Sequence, residues 1–381
     1  MDFEKHNAEV REVWKTYNAG RPIRVPMVLG ISARYLMFND DANPRRLSFT
    51  EYSNDPDVML QCRLAQQWWI RRHMVHDAEM GPPAKGWSIG VDFQNYYEAV
   101  WFGCPLEYRH NEVPDARPFL TDDRKRLLFD RGLPHPFGGL MGKNKEFYEH
   151  MKRRQAEGFT YRGLPIASVS PCGLGTDGPF TIACCLRGAT ELCLDLYEDP
   201  RYAEELLDFI TDATIARIKE WRKYLGQPEM TDAWGFADDS VQLLSCDLYR
   251  RFVLPRHKGL VAAFARKGPN SVHLCGDAYR HFKILREELN ITSFDTGFPI
   301  DLAKATRELG PDVRLQGGIH VTTLRDATPQ AVREECRRIL LSGVKANKRF
   351  VFREANNLAP HTPLENIQAM YDAVKEFGRY P

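Results

Sequence analysis

From about residue 165 onward the chain repeats one pattern: a short apolar run, a turn, then an amphipathic helix. Pro165–Ser170, Trp234–Ala237, Ser271–Gly276, Ile291–Asp295, Val313–Gly318 and Phe350–Glu354 read as strands. Helices are expected at 199–225, 246–267, from the turn after 276 to about 289, at 300–309, and from a Thr328-Pro329 cap to Gly343. Thr362-Pro363-Leu364-Glu365 has the form of a capping box that opens a last helix. Parallel strands need long crossover connections, usually helices, so this alternation confines the chain to a parallel α/β sheet.

The first half adds two strands, Ile23–Gly30 and Trp87–Phe93. It also carries a first helix over 3–18, with Val10, Val13, Trp14 and Tyr17 at helical spacing, and another over 55–75 capped by Asp55-Pro56. Eight strands at a length of 381 residues argue an α/β fold of the (β/α)8 TIM-barrel type, as a single domain over 1–381. Residues 1–22 form a helical extension, and the Pro- and Arg-rich stretch of about 103–160 is expected as an insertion over the barrel face, holding short helices.

In such barrels the chemistry sits where the strands end. Asp239, His273, Cys275, Asp295, Gly317-Gly318 and Glu354 all fall there. Residues two apart on a strand share a face, so His273 and Cys275 point one way and Val272 and Leu274 the other. An imidazole and a thiol side by side are half of a zinc site; taken alone, the same pair also suits a core histidine beside a small buried thiol.

Composition excludes other classes. With 52 basic and 51 acidic residues nothing suggests a nucleic-acid surface. No apolar run approaches the ~20 residues that span a bilayer. The opening Met1-Asp2-Phe3-Glu4-Lys5 lacks the order of a secretory signal, and the nine scattered Cys form no paired framework, so a reducing cytoplasm is the expected setting.

Several motifs together carry a resemblance: Asp238-Asp239-Ser240-Val241-Gln242, His273-Leu274-Cys275-Gly276-Asp277, Asp295-Thr296-Gly297, Leu315-Gln316-Gly317-Gly318-Ile319 and Thr362-Pro363-Leu364-Glu365-Asn366-Ile367. In this order they resemble the uroporphyrinogen decarboxylase superfamily, and His-x-Cys-Gly resembles its zinc-dependent methyltransferase branch, which works with corrinoid proteins. The resemblance covers about 160–375. It implies zinc in this chain, cobalamin on a partner corrinoid protein, and a small methylated substrate, an O-methyl compound being the first choice. A homodimer is the assembly to test for. The chain has no Asp-x-His-x-x-Gly corrinoid signature of its own.

One departure stands out. The branch supplies a further thiolate shortly before the Thr-Pro-x-Glu-Asn box, near Asn356 here, yet no Cys follows Cys336. With His273 and Cys275 as ligands, Glu354 is the first choice for the missing one, because Phe350, Phe352 and Glu354 share a strand face; Asp239 is the second. Asp239 and Asp295 are candidate ligands or proton donors, and Asp277 either orients His273 or caps the next helix. Phe93, Asn95, Arg34 and His320 are candidate substrate contacts. Two other readings stay open: a metal-free decarboxylase, and a non-catalytic binding protein of a corrinoid pathway.

Overall fold

The structure, a computed structural model, describes residues 2–109 and 112–380. Both ends of the expected domain and residues 110 and 111 of the expected insertion lie outside the described residues. Seven parallel strands are labelled in chain order: β1 Trp87–Gly90, β2 Leu164–Ser170, β3 Gly235–Ala237, β4 Asn270–Leu274, β5 Ile291–Thr296, β6 Arg314–Gly317 and β7 Phe350–Phe352. They form two hydrogen-bonded arcs. One is a five-stranded sheet in the order β7-β6-β5-β4-β3, and the other is the parallel pair β1-β2.

Two contacts extend the larger arc. Beyond β7, Met27 bridges to Phe352, with Val28 N–H donating to Phe352 O (2.9 Å) and Phe352 N–H to Pro26 O (2.8 Å). Beyond β3, Ala237 N–H donates to Thr176 O (3.0 Å), in the turn that follows β2. The strand expected over Ile23–Gly30 is reduced to such bridges. Pro26 has no N–H to donate, so the ladder breaks beside it.

Alternation along β4 is as the sequence implies. Val272 and Leu274 are buried against the helices, while Ser271 and His273 face the other side and stay accessible. Helices Pro200–Tyr224, Leu254–Phe264, Phe282–Leu289, Leu302–Leu309, Pro329–Leu341 and Leu364–Phe377 bury their apolar stripes against the sheet. The expected 103–160 stretch holds a short antiparallel pair (Leu106–Glu107 with Asp115–Ala116) and the helix Gly139–Ala156. That helix buries Phe147 and Met151 beside Trp87 and Ile166, so it serves as the crossover between β1 and β2.

The final helix starts differently from expectation. Pro363 is its N-cap, and Thr362 Oγ1 donates to Ala359 O (2.8 Å) instead of accepting from the helix. Proline in the cap position keeps the backbone extended there, which turns the Thr362 hydroxyl back to the preceding loop.

Candidate metal and substrate site

The ends of β3 and β4 bring three donor side chains together. Asp239, His273 and Cys275 each offer a ligand atom, and these atoms lie within 4.8 Å of one another. His273 Nε2 is 3.0 Å from Cys275 Sγ and 3.8 Å from Asp239 Oδ1. Asp239 Oδ1 also accepts the Cys275 N–H at 2.7 Å, which ties the end of β3 to the turn after β4.

Two glycines make that turn possible. Gly276 has φ +71°, where a side chain is strained. A Cβ on Gly297 would stand 2.6 Å from the Cys275 Cα, so only glycine lets the two strand ends approach so closely.

Behind His273 lies a charged relay. Its Nδ1 is 2.8 Å from Asp295 Oδ2, and Arg353 Nη1 donates to the same oxygen at 2.7 Å. An ionised carboxylate only accepts, so Nδ1 carries its proton and Nε2 faces the other two donors. Burial opposes charge on the ring, but Asp295 and Cys275 outweigh it and raise the His273 pKa to about 10. Burial also raises the Cys275 thiol, against the pull of His273. At neutral pH Nε2 and Sγ are therefore each held in the protonated form.

A cavity of about 430 Å³ opens over these groups. Arg34, Asn95, Asp177 and Arg353 line it, with Asn356 and Asn357 on the loop after β7. Asp177 follows the Gly-rich turn after β2. Its backbone N–H donates to the buried Glu98 (2.9 Å), and burial, then the charges of Glu98 and Asp239, raise its carboxyl to about 7. Arg34 Nε donates to Gln94 Oε1 (3.2 Å), and burial lowers its pKa.

The sequence candidates divide. His273, Cys275, Asp239 and Asp295 meet, and Arg34 and Asn95 line the same cavity. Glu354 stands apart from the donor trio. It is fully buried, its Oε1 accepts the Gly30 N–H at 2.6 Å, and burial raises its pKa to about 7. The face-sharing argument fails because β7 ends at Phe352, two residues short of Glu354. Asp277 is exposed and pairs with Arg280 (3.2 Å), leaving His273 Nδ1 to Asp295. Phe93 is core, packed on Phe147 with ring centroids 5.4 Å apart. His320 is a helix N-cap, accepting from Thr322 N–H and packed on Phe298. Asp177 and Arg353 were missed; the acidic residue directly after the Gly-rich turn was the available signal for Asp177.

The uroporphyrinogen decarboxylase (URO-D) family model matches residues 142–377, more than half of the chain and all of β2–β7. The chain belongs to the uroporphyrinogen decarboxylase family. Among its relatives, a methylated-thiol–coenzyme M methyltransferase of Methanosarcina mazei is 29% identical over 200 residues, covering 52% of this chain and 51% of the relative. A uroporphyrinogen decarboxylase of Anaeromyxobacter sp. is 28% identical over 208 residues (53% and 57%), and one of Chloroherpeton thalassium is 31% identical over 206 residues (51% and 54%). The chain thus spans about half the length of the curated relatives it matches. A solved methyltransferase from Methanosarcina mazei superposes with a TM-score of 0.65 over 97% of this chain and 98% of its own, at 19% identity, which establishes the shared fold. The relatives that bear names are enzymes. Among the described residues no helix is long and apolar enough to cross a membrane.

Proposed function

We propose that this protein is a zinc-assisted methyltransferase, which moves a methyl group between a small methylated compound and a corrinoid carried by a partner protein. The observation that carries the reading is the convergence of one imidazole, one thiol and one carboxylate at adjacent strand ends. Three such ligands beside an open cavity suit a catalytic zinc, which usually keeps one position for water or substrate. The relative named as a methylated-thiol–coenzyme M methyltransferase supports the same reading. A closed eight-stranded barrel belongs to it, with the Met27 segment completing the larger arc.

His273, Cys275 and Asp239 would hold the metal. Zinc there would supply Lewis acidity to the heteroatom that carries the methyl group, generally worth several kcal/mol. Asp295 fixes the His273 tautomer, and Arg353 offsets the Asp295 charge, the arrangement that orients metal-binding histidines elsewhere. Asp177 holds a proton near neutrality on the cavity wall, and it would give that proton to the heteroatom as the methyl leaves. Among the described residues the cavity wall has no aromatic ring apart from His273, which favours a polar methyl donor over an aromatic ether.

Elemental analysis of the purified protein, beside His273→Ala and Cys275→Ala, tests this reading. About one zinc per chain, absent from both variants, is the expected result. A wild-type protein that takes up no zinc when supplied with it would remove the mechanism. Assay for metal-free decarboxylation would then follow, since several relatives carry that name.

A further inference from the structure

A second cavity, of about 510 Å³, adjoins the first and shares two wall residues with it, Ser32 and Asn95. Its floor is the accessible face of β1 and β2. There Ser88 pairs in register with Ser168, and Gly90 with Ser170. Barrel interiors are ordinarily filled by bulky branched side chains at such positions. Here small hydroxyl residues leave the space open, and Ser88, Ser168 and Ser170 are all exposed or partly so.

The walls are polar and incompletely satisfied. Ser32 Oγ, at the junction of the two cavities, is buried with no hydrogen-bond partner, and so is Arg63 Nε. Arg63 Nη1 stands 3.6 Å from Asp92 Oδ2, so its charge is locally balanced. Asp92 is further engaged by Tyr52 Oη (3.0 Å) and Gln94 Nε2 (2.6 Å). An anionic ligand body would meet Asp92 and the nearby Asp177; a cationic one would meet Arg63 and Arg34. Neither sign of charge is favoured. What fits is a neutral ligand whose groups donate and accept at once, as serine hydroxyls do. Among the described residues no aromatic ring lines this cavity, so a flat aromatic body has no stacking partner there.

The geometry points to this second cavity as the chamber for the body of the methyl donor, and to that donor as a neutral O-methylated polyol. The inference rests on the methyl-transfer reading for its methyl group, while the chamber itself stands on wall residues outside the metal donor set. Each cavity lies within the ~300–1,000 Å³ range of small-molecule sites.

Titration calorimetry on the full chain tests it, with 3-O-methylglucose and veratrole as probes, each with and without bound zinc. Saturable binding of 3-O-methylglucose, with veratrole binding at least tenfold weaker, is the expected result. Ser168→Val, which fills the floor with a strand-compatible side chain, should weaken that binding at least tenfold. Ser168→Ala should weaken it less, and both variants should keep the wild-type zinc content and melting temperature. Preference for veratrole, absence of saturable 3-O-methylglucose binding, or indifference to Ser168→Val would overturn the chamber. Polyol binding that responds to Ser168 in a protein that takes up no zinc would instead overturn the methyl-transfer reading and leave the chamber standing.

Discussion

Asp295 Oδ2 lies 2.8 Å from His273 Nδ1, on the side of the ring away from Cys275 and Asp239. This contact decides which nitrogen faces the metal donors. Removing the carboxylate in Asp295→Ala frees the ring to change tautomer and leaves Arg353 with Glu354 as its remaining acidic partner. Zinc affinity is expected to fall by about 10- to 100-fold, with the fold retained. Competition against a chromophoric chelator measures it, and an unchanged affinity would show that Asp295 does not orient the ring.

The protons on His273 Nε2 and Cys275 Sγ must leave before both atoms can bind a metal. The ring pKa of about 10 and the raised thiol pKa keep both in place at neutral pH. Zinc binding is therefore expected to release about two protons and to strengthen about a hundredfold per pH unit between pH 6 and 8. Calorimetry in two buffers of different ionisation enthalpy reads the released protons directly. Equal heats in both buffers would contradict the protonated pair.

Much of this site was legible, and the reasons are local. The two-residue period of a strand put His273 and Cys275 on one face, and β4 obeys it because its other face is buried under helices. The same rule misled at Glu354, because the period was carried past Phe352, where β7 stops. Arg353 was not legible for a different reason: it matters through a contact distant in sequence, with Asp295, which no local spacing encodes. Asp177 left a local trace after the Gly-rich turn, but its raised carboxyl comes from burial and from Glu98, far away in sequence. Phe93 and His320 show the converse: residue type suggested substrate contact, and local packing and helix capping claimed the side chains.

Gly297 gives a steric test of the proposed metal site. A methyl group there would meet the Cys275 Cα at 2.6 Å and the Gly276 N at 2.9 Å, both backbone atoms. Gly297→Ala should push the Cys275 turn away from Asp239 and cost about 1–3 kcal/mol of stability. Zinc content is expected to fall well below that of the wild type in protein that still melts cooperatively. Full zinc content would mean the turn yields without moving the thiol.

The Met27 segment is tied to the loop after the helix Pro56–His73 by a buried ion pair, which Glu9 of the N-terminal helix Phe3–Asn18 joins at 3.2 Å. Asp77 takes both Arg24 Nη atoms at 2.6 Å and the Met27 N–H at 2.7 Å, with both side chains almost wholly buried. Asp77→Ala leaves the Arg24 charge buried with only the partly exposed Glu9 beside it, and is expected to cost about 3–5 kcal/mol in urea denaturation. Arg24→Met in the same chain should restore part of that loss. If the double variant is no more stable than Asp77→Ala, the unpaired charge was not the cause.

His281 sets an acid limit on stability. It is fully buried, its Nε2–H donates to Val241 O at 2.9 Å, and its Nδ1 has no partner. Burial, aided by the charge of Arg280, lowers its pKa to about 4 from 6.5. The fold therefore holds the neutral ring, while the unfolded chain takes up a proton below pH 6.5. The stabilisation is complete above pH 6.5 and is lost as pH falls toward 4, about 3 kcal/mol in all. Urea midpoints at pH 7, 5.5 and 4.5 should fall more steeply for wild type than for His281→Gln, whose amide can still donate to Val241 O but does not titrate. Parallel slopes would place the acid sensitivity in the carboxylates instead.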